Sequence, residues 1–479
     1  MVSISMESPL TYLEKRANDN WLIGYDSSEF TLLTQQLYSE LTQNANFKTP
    51  LKIVIAERQP IKLLASFIAA TAANCHVFLC NPDWVKAEWE QVFNLVQPDI
   101  IWGNVAEIDY KKPQIKTTPS LPKYPSSLIM IPTGGSSGKI RFAMHTWETL
   151  MASVRGFQQY FNLEQVNSFC ILPLYHVSGL MQFMRSFTSD GKLVISNFKL
   201  LEYSQKYDIV PAEFFISLVP TQLQRLLEKP ELTTWLSRFK TVLLGGAPAW
   251  LELLETARNY GIRLAPTYGM TETASQIATL KPEAFLAGNN TSGRILPHAK
   301  VIIKGENGEI LGTNQTGIIN IQADSLTLGY YPEFFPNQEE FQLDDLGYMD
   351  ENGNLKIVGR NSNKIITGGE NVFPNEVEAA IIATQMVEDV CVVGLPDSQW
   401  GEIVTAIYVP KIPDINIDEL KIAIEDKLSK FKHPKKWIAV ENLPRNAQGK
   451  INRQLLMEGT LLRFSAIGKS AKAQQHTWF

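Results

Sequence analysis

The stretch that decides the fold class is Thr133-Gly134-Gly135-Ser136-Ser137-Gly138-Lys139, which follows an apolar run from Ser127 to Ile131. An apolar run that ends in a glycine-rich segment is typical of a buried strand that opens into a loop. Glycines allow backbone conformations closed to other residues, and successive amides beside hydroxyl groups can surround an anion. We therefore predict a phosphate-binding loop; the alternative is a flexible surface loop. The Walker pattern does not fit, because Thr133 stands where it requires glycine and Ile140 follows the lysine.

Outward from this loop, short apolar runs alternate with amphipathic helical runs. Phe214 to Val219 precedes a helical run from Thr221 to Glu228, and Thr241 to Leu244 precedes one from Trp250 to Tyr260. This alternation predicts parallel sheets covered by helices. Between Lys300 and Tyr330, short strands with glycine turns predict a small antiparallel layer.

After Arg360 the pattern restarts as a segment of α+β character, which is long enough for a small separate domain. The predicted fold class is α/β. It comprises a large N-terminal domain, residues 1–360, of helix-covered sheets with the antiparallel layer, and a small mobile α+β domain, residues 361–479.

Composition excludes several classes of protein. The chain has 479 residues with 44 basic and 49 acidic side chains, a net charge of −5, so a nucleic-acid partner is not expected. Four cysteines do not suggest a disulfide framework, and Cys75-His76 with Cys80 lacks the second ligand pair of a metal site. We expect no secretion signal and no membrane span, and the expected location is cytoplasmic.

The glycine-rich loop resembles the phosphate-binding loop of the adenylate-forming superfamily, which contains acyl-CoA synthetases, peptide-synthetase adenylation domains and luciferases. That family usually has Thr-Ser-Gly-Thr-Thr-Gly-x-Pro-Lys, and this chain has Ile140 and Arg141 where the family has Pro and Lys. The resemblance implies that ATP phosphates are bound by Thr133, Gly134, Gly135, Ser136, Ser137, Gly138 and Arg141.

Further motifs follow in the family's order. The resemblance implies adenine and ribose binding by Gly245, Gly246, Ala247, Pro248, Tyr268, Asp345 and Arg360. Asp345 is preceded by Asp344, where the family has Gly. An ionised carboxylate only accepts hydrogen bonds, so Asp345 could accept both ribose hydroxyls.

The motif from Tyr268 to Thr273 resembles the one in which Thr contacts phosphate and Glu holds Mg²⁺, which assigns those roles to Thr271 and Glu272. A divalent cation offsets charge as pyrophosphate leaves. The segment from Pro444 to Ile451 resembles the family's terminal lysine motif, so Lys450 is expected to reach the acyl carboxylate and the phosphate oxygen. The predicted catalytic residues are therefore Lys450, Glu272 and Thr271.

The family carries out a second step after its small domain rotates. The resemblance places the hinge at Asn363, where the family has Asp or Lys, and the loop that serves coenzyme A at Gly368 and Gly369. Rotation would withdraw Lys450 and bring this loop to the pantetheine channel. The alternative is that residues 361–363 form a plain linker.

Within the superfamily, the closest resemblance is to the acid–CoA ligases that activate 2-succinylbenzoate for menaquinone or phylloquinone synthesis. The segments that carry it are Pro173 to Leu180 followed by Met184-Arg185-Ser186, then Val219 to Leu223, and Tyr268 to Gln276. That acid has a second carboxylate, which needs a donor or a cation inside the pocket. The acid-binding residues are predicted to be His176, Ser178, Arg185 and Ser275. ATP, Mg²⁺ and coenzyme A are the expected ligands.

Three alternatives remain at this point. The chain could be an acyl-CoA synthetase for another aromatic or medium-chain acid, or a stand-alone peptide-synthetase adenylation unit. The third is a non-catalytic nucleotide-binding protein, because Ile140, Arg141, Ile318 and Asn363 depart from the family pattern.

Overall fold

The computed structural model describes residues 7–43, 49–105, 127–134, 139–203, 207–337, 339–368, 370–397, 399–412, 415–425, 427–445, 451–453 and 455–458. The first part of the chain alternates strands with helices. Its elements are α1 (Pro9–Lys15), β1 (Leu22–Ile23), α2 (Ser27–Gln43), β2 (Lys52–Ala56), α3 (Pro60–Ala72), β3 (His76–Leu79), α4 (Lys86–Val96), β4 (Ile100–Gly103), β5 (Ile129–Gly134), β6 (Ile140–His145), α5 (Trp147–Phe161), β7 (Asn167–Cys170), α6 (Val177–Thr188), β8 (Leu193–Ile195) and α7 (Phe198–Glu202).

The middle of the chain completes the helix-covered sheets and then turns to strands alone. Its elements are β9 (Phe214–Leu218), α8 (Pro220–Leu227), α9 (Pro230–Leu236), β10 (Thr241–Leu244), α10 (Leu251–Asn259), β11 (Leu264–Met270), β12 (Ser275–Thr279), α11 (Pro282–Leu286), β13 (Arg294–Ile295), β14 (Ala299–Lys304), β15 (Gly317–Ala323), β16 (Gly329–Tyr330), β17 (Glu333–Phe334), β18 (Phe341–Met349) and β19 (Leu355–Arg360).

The last part forms a sheet of its own. Its elements are β20 (Ile365–Thr367), β21 (Glu370–Val372), α12 (Pro374–Ile382), β22 (Val387–Asp397), β23 (Gly401–Pro410), α13 (Ile417–Glu425) and β24 (Lys436–Ala439). Short 3-10 turns lie at Pro211–Glu213, Thr271–Thr273 and Lys430–Lys432. The predicted restart after Arg360 agrees with this change of sheet; the exact boundary at residues 360 and 361 stays a prediction.

Two large sheets make up the helix-covered part. One has the order β1-β8-β7-β9-β10-β11-β12-β13, parallel from β1 to β11, and the other has the order β17-β16-β6-β5-β3-β2-β4, parallel from β5 to β4. An antiparallel sheet, β14-β15-β18-β19, follows them and extends the layer predicted between residues 300 and 330. The predicted α/β class is confirmed.

Alternation along the strands explains how the layers pack. In β2, Ile53 and Ile55 face a core shared with α3, α5 and α6, while Val54 and Ala56 face a second core with α4. Because successive strand residues point to opposite faces, a strand buried on both sides reads as a continuous apolar run. The side chains of α3 from Leu63 to Thr71 are all buried, as expected for a helix between two layers.

The cysteines are buried and contribute to these cores. Burial raises the pKa of Cys75 to about 11, of Cys170 and Cys391 to about 12, and of Cys80 well above its usual value. Within the described ranges, no group of three or more His, Cys, Asp or Glu side chains could hold a metal ion. No helix in those ranges is long and apolar enough to cross a membrane.

Candidate functional site

The predicted adenine-binding loop lies at the C-terminal end of a parallel strand. Gly245 and Gly246 follow β10 directly, and Gly246 has a φ of +81°, a conformation that favours glycine. A Cβ on Gly245 would lie 2.6 Å from Oγ1 of Thr267, so the chain packs closely here. Ala247 and Pro248 are exposed at the same edge of the sheet, where a crevice for the nucleotide is expected. In open α/β sheets this edge is where ligands bind.

The Thr271–Thr273 turn is held by distant parts of the chain. Each of its carbonyl oxygens accepts a hydrogen bond from a residue far away in the sequence: Thr271 from His145 Nε2 at 2.8 Å, Glu272 from the Thr327 amide at 2.8 Å and Thr273 from the Ser325 hydroxyl at 2.9 Å. The turn that carries two predicted catalytic residues is therefore anchored through its backbone, and the Glu272 side chain is not needed to hold it to these distant residues.

His145 is one anchor of this turn that sequence reasoning missed. It ends β6 with 0% exposure, and burial lowers its pKa to about 4, so the ring is neutral near neutral pH. A carbonyl oxygen only accepts, so Nε2 must carry the proton toward Thr271. Nδ1 lies 3.1 Å from the Thr149 hydroxyl. In the sequence, a lone histidine at the end of an apolar strand gave no sign of this contact.

Glu272 has a carboxylate that is 7% exposed. Its Oε1 accepts a hydrogen bond of 2.6 Å from the Tyr330 hydroxyl and one of 3.5 Å from the Thr133 hydroxyl. Among the described residues, nothing donates to Oε2. Mg²⁺ is usually bound in proteins by one or two carboxylates together with water and phosphate oxygens. The free oxygen of Glu272 therefore fits the predicted metal ligand, with no cage of protein ligands required.

Tyr330 is a second residue that the sequence did not reveal. Burial, with Glu272 beside it, raises the pKa of Tyr330 well above its usual value, so its hydroxyl remains a donor. The carbon at the centre of the Arg141 guanidinium lies 4.2 Å from the centroid of the Tyr330 ring. Arg141 in turn is the register partner of Thr133 across β5 and β6. Thus Arg141 is linked to Glu272 through Tyr330, whereas Thr133 contacts Glu272 directly.

Part of the predicted phosphate loop cannot be placed. Thr133 and Gly134 end β5, but Gly135, Ser136, Ser137 and Gly138 lie outside the described residues. Their predicted contacts with phosphate therefore stay predictions.

The ribose motif brings three predicted residues together. Asp345 accepts a hydrogen bond of 2.5 Å from the Tyr268 hydroxyl. Its other carboxylate oxygen forms an ion pair with Arg360, at 3.2 Å from Nε. Burial, with Asp345 beside it, raises the pKa of Tyr268 well above its usual value. Asp344 instead accepts from the amide of Ser362, at 3.0 Å, and from its hydroxyl. The adjacent carboxylates thus separate: Asp345 faces the crevice residues and Asp344 binds the segment that leaves β19.

The backbone after the Thr271–Thr273 turn is strained. Ala274 has a φ of +48° and Ser275 one of +102°, and positive φ costs about 1–3 kcal/mol for such residues. Gly269 makes this path possible, because a Cβ there would lie 2.1 Å from the Ser275 carbonyl oxygen. The result is that the Ser275 hydroxyl lies 3.0 Å from a guanidinium nitrogen of Arg185.

Arg185 is a buried cation without a carboxylate partner among the described residues. It is 3% exposed, its guanidinium carbon lies 4.2 Å from the centroid of the Phe157 ring, and its Nε has no hydrogen-bond partner within the part of the chain that the structure describes. Burial lowers its pKa to about 9. An uncompensated charge is expensive to bury. Such a cation is suited to an anion that arrives with a ligand.

The other predicted acid-binding residues lie at the opposite end of α6. His176 precedes the helix with its ring centroid 4.6 Å from that of Tyr175, and Ser178 is exposed in the first turn. Seven residues separate Ser178 from Arg185, which is about 10 Å along a helix. The four predicted residues therefore form two groups: Arg185 with Ser275, and His176 with Ser178.

His298 also escaped the sequence reasoning. Both of its ring nitrogens are buried, and neither has a hydrogen-bond partner among the residues that the structure describes. Burial lowers its pKa to about 4, and Arg185 is among the charges that act on it. It packs on α5 where Gly156 leaves room, since a Cβ there would lie 1.8 Å from Nδ1. The unpartnered polar atoms near Arg185 thus include those of a histidine.

The residues predicted for the second step are only partly described. Gly368 has a φ of +59° and donates its amide to the Trp400 carbonyl at 2.8 Å. Asn363 lies just after β19, and its amide donates to the Arg360 carbonyl at 3.3 Å. Gly369 and Lys450 lie outside the described residues.

Comparisons with known proteins agree with this arrangement. A family profile described as AMP-binding enzyme matches residues 29–331, and one described as AMP-binding enzyme C-terminal domain matches residues 376–450. The chain is 34% identical over 366 residues to a 2-succinylbenzoate–CoA ligase of Listeria monocytogenes serovar 1/2a (strain EGD-e), covering 75% of each chain. It is 33% identical over 338 residues to one of Bacillus anthracis (strain A0248), covering 69% of this chain and 70% of that relative.

Among solved structures, one similar chain is o-succinylbenzoate CoA synthetase (MenE) from Bacillus subtilis in complex with the acyl-adenylate intermediate OSB-AMP. The TM-score is 0.77 at 25% sequence identity, covering 93% of this chain and 97% of that chain. The similarity includes both the helix-covered sheets and the final sheet.

Proposed function

The chain belongs to the AMP-binding enzyme family, and on that premise we propose that it is an ATP-dependent acid–CoA ligase that acts on 2-succinylbenzoate. The product would serve menaquinone or phylloquinone synthesis. In the first step a carboxylate oxygen of the acid attacks the α-phosphorus of ATP, and the bond to pyrophosphate breaks. In the second step the thiol sulfur of coenzyme A attacks the acyl carbon, AMP leaves, and the thiol proton is released.

In the first step, the residues around the nucleotide are proposed to have separate roles. Asp345, which accepts from Tyr268, would accept the ribose hydroxyls, and Arg141, the register partner of Thr133, would bind phosphate. Glu272 would hold Mg²⁺, which when bound neutralises charge on the leaving pyrophosphate. Lys450 is proposed to stabilise the charge that develops between carboxylate and phosphate.

The observation that carries the choice of acid is the buried cation of Arg185, which has no carboxylate partner in the part of the chain that the structure describes. Only the succinyl carboxylate of 2-succinylbenzoate is activated, so the ring carboxylate enters the pocket as a charge that must be paired. Arg185, with the Ser275 hydroxyl at 3.0 Å, offers a cation whose burial is costly until an anion arrives. His176 and Ser178, at the other end of α6, are proposed to border the entry to this pocket.

We also propose that residues 361–479 form the mobile domain and that Asn363 is its pivot. The family match from residue 376 to 450 supports a separate unit. Gly368 and Gly369 would then serve the second step after Lys450 withdraws. The cytoplasmic location and the lack of a nucleic-acid partner remain predictions from the sequence.

A panel of acids tests this function. The purified protein is supplied with ATP, Mg²⁺ and coenzyme A, and pyrophosphate, AMP and thioester are measured for 2-succinylbenzoate, benzoate, octanoate and 4-oxo-4-phenylbutanoate. The last acid is the matched control, because it differs from 2-succinylbenzoate only in lacking the ring carboxylate. We expect kcat/KM to be largest for 2-succinylbenzoate.

The alternatives predict different results on the same panel. Preference for octanoate or benzoate would indicate another acyl-CoA synthetase. Pyrophosphate release without thioester would indicate an adenylation unit. ATP binding with no pyrophosphate released for any acid would indicate a nucleotide-binding protein and overturn the proposal.

A further inference from the structure

Tyr330 and Arg141 are brought together by the pairing of two strands. Tyr330 is the register partner of Ala143 between β16 and β6, and Arg141 stands two residues before Ala143. Diagonal neighbours of this kind in an antiparallel pair lie within reach of aromatic and long side chains. The 4.2 Å contact between the guanidinium carbon and the ring centroid follows from that register.

The other end of the same side chain contacts the predicted metal ligand. The Tyr330 hydroxyl donates to Oε1 of Glu272 at 2.6 Å, and the Thr327 amide donates to the backbone carbonyl of Glu272 at 2.8 Å. The segment from Thr327 to Tyr330 therefore holds Glu272 by both backbone and side chain. With Oε1 engaged, Oε2 is the oxygen left available to a cation.

We propose that Tyr330 is a positioning residue that acts through Glu272 and Arg141, fixing the metal-binding carboxylate and the phosphate-side cation in one arrangement. This inference rests on the proposed function, since it assumes that the crevice takes Mg²⁺ and ATP. It also accounts for the departure at Arg141, where the family has lysine. A planar guanidinium stacks on an aromatic ring, which a lysine ammonium does less well.

Two substitutions separate the two contacts of Tyr330. Tyr330→Phe keeps the ring under Arg141 and removes the hydrogen bond to Glu272, whereas Tyr330→Leu removes both. The matched control is Tyr331→Phe, because the ring of Tyr331 packs against Phe78 in the core, with centroids 4.9 Å apart. Thermal melting without ligand reports whether each variant is folded.

The primary measurement is ATP binding by calorimetry at a series of Mg²⁺ concentrations, with no acid present. We expect Tyr330→Phe to raise the Mg²⁺ concentration for half-maximal binding about tenfold, as for loss of a hydrogen bond to a charged group. ATP affinity at saturating Mg²⁺ should stay within about twofold. Tyr330→Leu should in addition weaken ATP binding at saturating Mg²⁺ about fivefold, because Arg141 loses its ring.

Arg141→Lys, made alone and together with Tyr330→Leu, completes a double-mutant cycle. Alone it should weaken ATP binding about fivefold, and it should add little in the Tyr330→Leu background. Thioester formation from supplied acyl-adenylate should be unchanged in Tyr330→Phe, since that half-reaction involves no pyrophosphate. A general structural defect would slow both half-reactions.

Three results would overturn the inference: an unchanged Mg²⁺ midpoint in Tyr330→Phe, the same shift in Tyr331→Phe, or additive losses in the cycle. Each is read in a protein whose wild type binds ATP and releases pyrophosphate. Failure of the proposed function would instead appear in the wild type itself, as absence of pyrophosphate release with every acid.

Discussion

The proposed nucleotide-binding side and the proposed acid-binding side of the site differ in how their charged side chains are paired. On the nucleotide side, Asp345 is paired with Arg360, and Glu272 lies beside Tyr330, which stacks on Arg141. On the acid side, Arg185 is buried with no carboxylate partner among the residues described. ATP arrives with its own Mg²⁺, so the protein needs only a nearly balanced set of charges there. The second carboxylate of the proposed acid brings no counter-ion, so the protein must supply one.

Lys450 is predicted to act where the two sides meet, and its loss should give the largest effect. Lys450→Ala should slow adenylate formation by about 10²–10³, because preorganised charge is lost where charge develops. Thioester formation from supplied adenylate should remain nearly intact. Pyrophosphate release and thioester formation are measured separately, with Lys421→Ala, an exposed lysine on α13, as control. Equal loss in both half-reactions would remove Lys450 from the first step.

Arg185→Met tests the acid side directly. Methionine keeps much of the side-chain volume, so packing loss is limited. We expect KM for 2-succinylbenzoate to rise about 30-fold, since a buried charge pair is worth several kcal/mol when one partner is removed. KM for 4-oxo-4-phenylbutanoate should be unchanged or lower. Arg155→Met, which changes an exposed arginine on α5, is the control. An equal change in KM for both acids would mean that Arg185 does not pair with the ring carboxylate.

Asn363→Pro tests whether the proposed mobile domain rotates about residue 363 between the first and the second step. A fixed φ at the pivot should impair thioester formation about tenfold and leave adenylate formation unchanged. The two half-reactions are assayed with 2-succinylbenzoate and with supplied acyl-adenylate. If both survive unchanged, the pivot lies elsewhere.

Asp345→Asn compared with Asp344→Asn refines the nucleotide side. Asp345 faces Tyr268 and Arg360, whereas Asp344 binds Ser362. We expect KM for ATP to rise about fivefold in Asp345→Asn, from weaker acceptance of the ribose hydroxyls. Asp344→Asn should leave KM for ATP unchanged and lower the melting temperature slightly. The reverse pattern would exchange the roles of the two carboxylates.

The smallest expected effect is a loss of folding stability at acidic pH. Burial lowers the pKa of His76 on β3 and of His298 on the acid side to about 4, from an ordinary value of 6.5. Between these values the unfolded chain binds more protons than the folded one, so stability is full above pH 6.5 and falls as pH drops toward 4. Melting temperature against pH should show a shallower slope in His76→Asn and in His298→Asn. An unchanged slope would mean that these rings are already charged in the folded protein.

Sequence motifs predicted more of the proposed nucleotide side than of the proposed acid side. Thr271 and Glu272 stand together in one run, and the segments around Asp345 and Arg360 could each be matched by residue type and order. Their partners could not be predicted, because His145 lies 126 residues from Thr271 and Tyr330 lies 58 residues from Glu272. Such contacts depend on which strands pair, and no local spacing encodes that.

Arg185 and His298 show the same limit in the proposed acid pocket. Arg185 was predicted from its place near a pocket motif, but its lack of a carboxylate partner within the described ranges appears only when α5, α6 and β12 are packed together. His298 can approach α5 only because residue 156 is glycine. Neither residue, taken alone in the sequence, predicts this contact. The alternation of strands and helices could be predicted, because strands buried on both faces appear in the sequence as continuous apolar runs.

The burial of all four cysteines matters for a protein whose proposed co-substrate is itself a thiol. With thiolate forms suppressed by their raised pKa, Cys75, Cys80, Cys170 and Cys391 are poor nucleophiles and poor partners for exchange with coenzyme A disulfide. A colorimetric thiol reagent added to samples of the native protein withdrawn during turnover should therefore report only the coenzyme A that remains, and the fall in signal from sample to sample measures thioester formation.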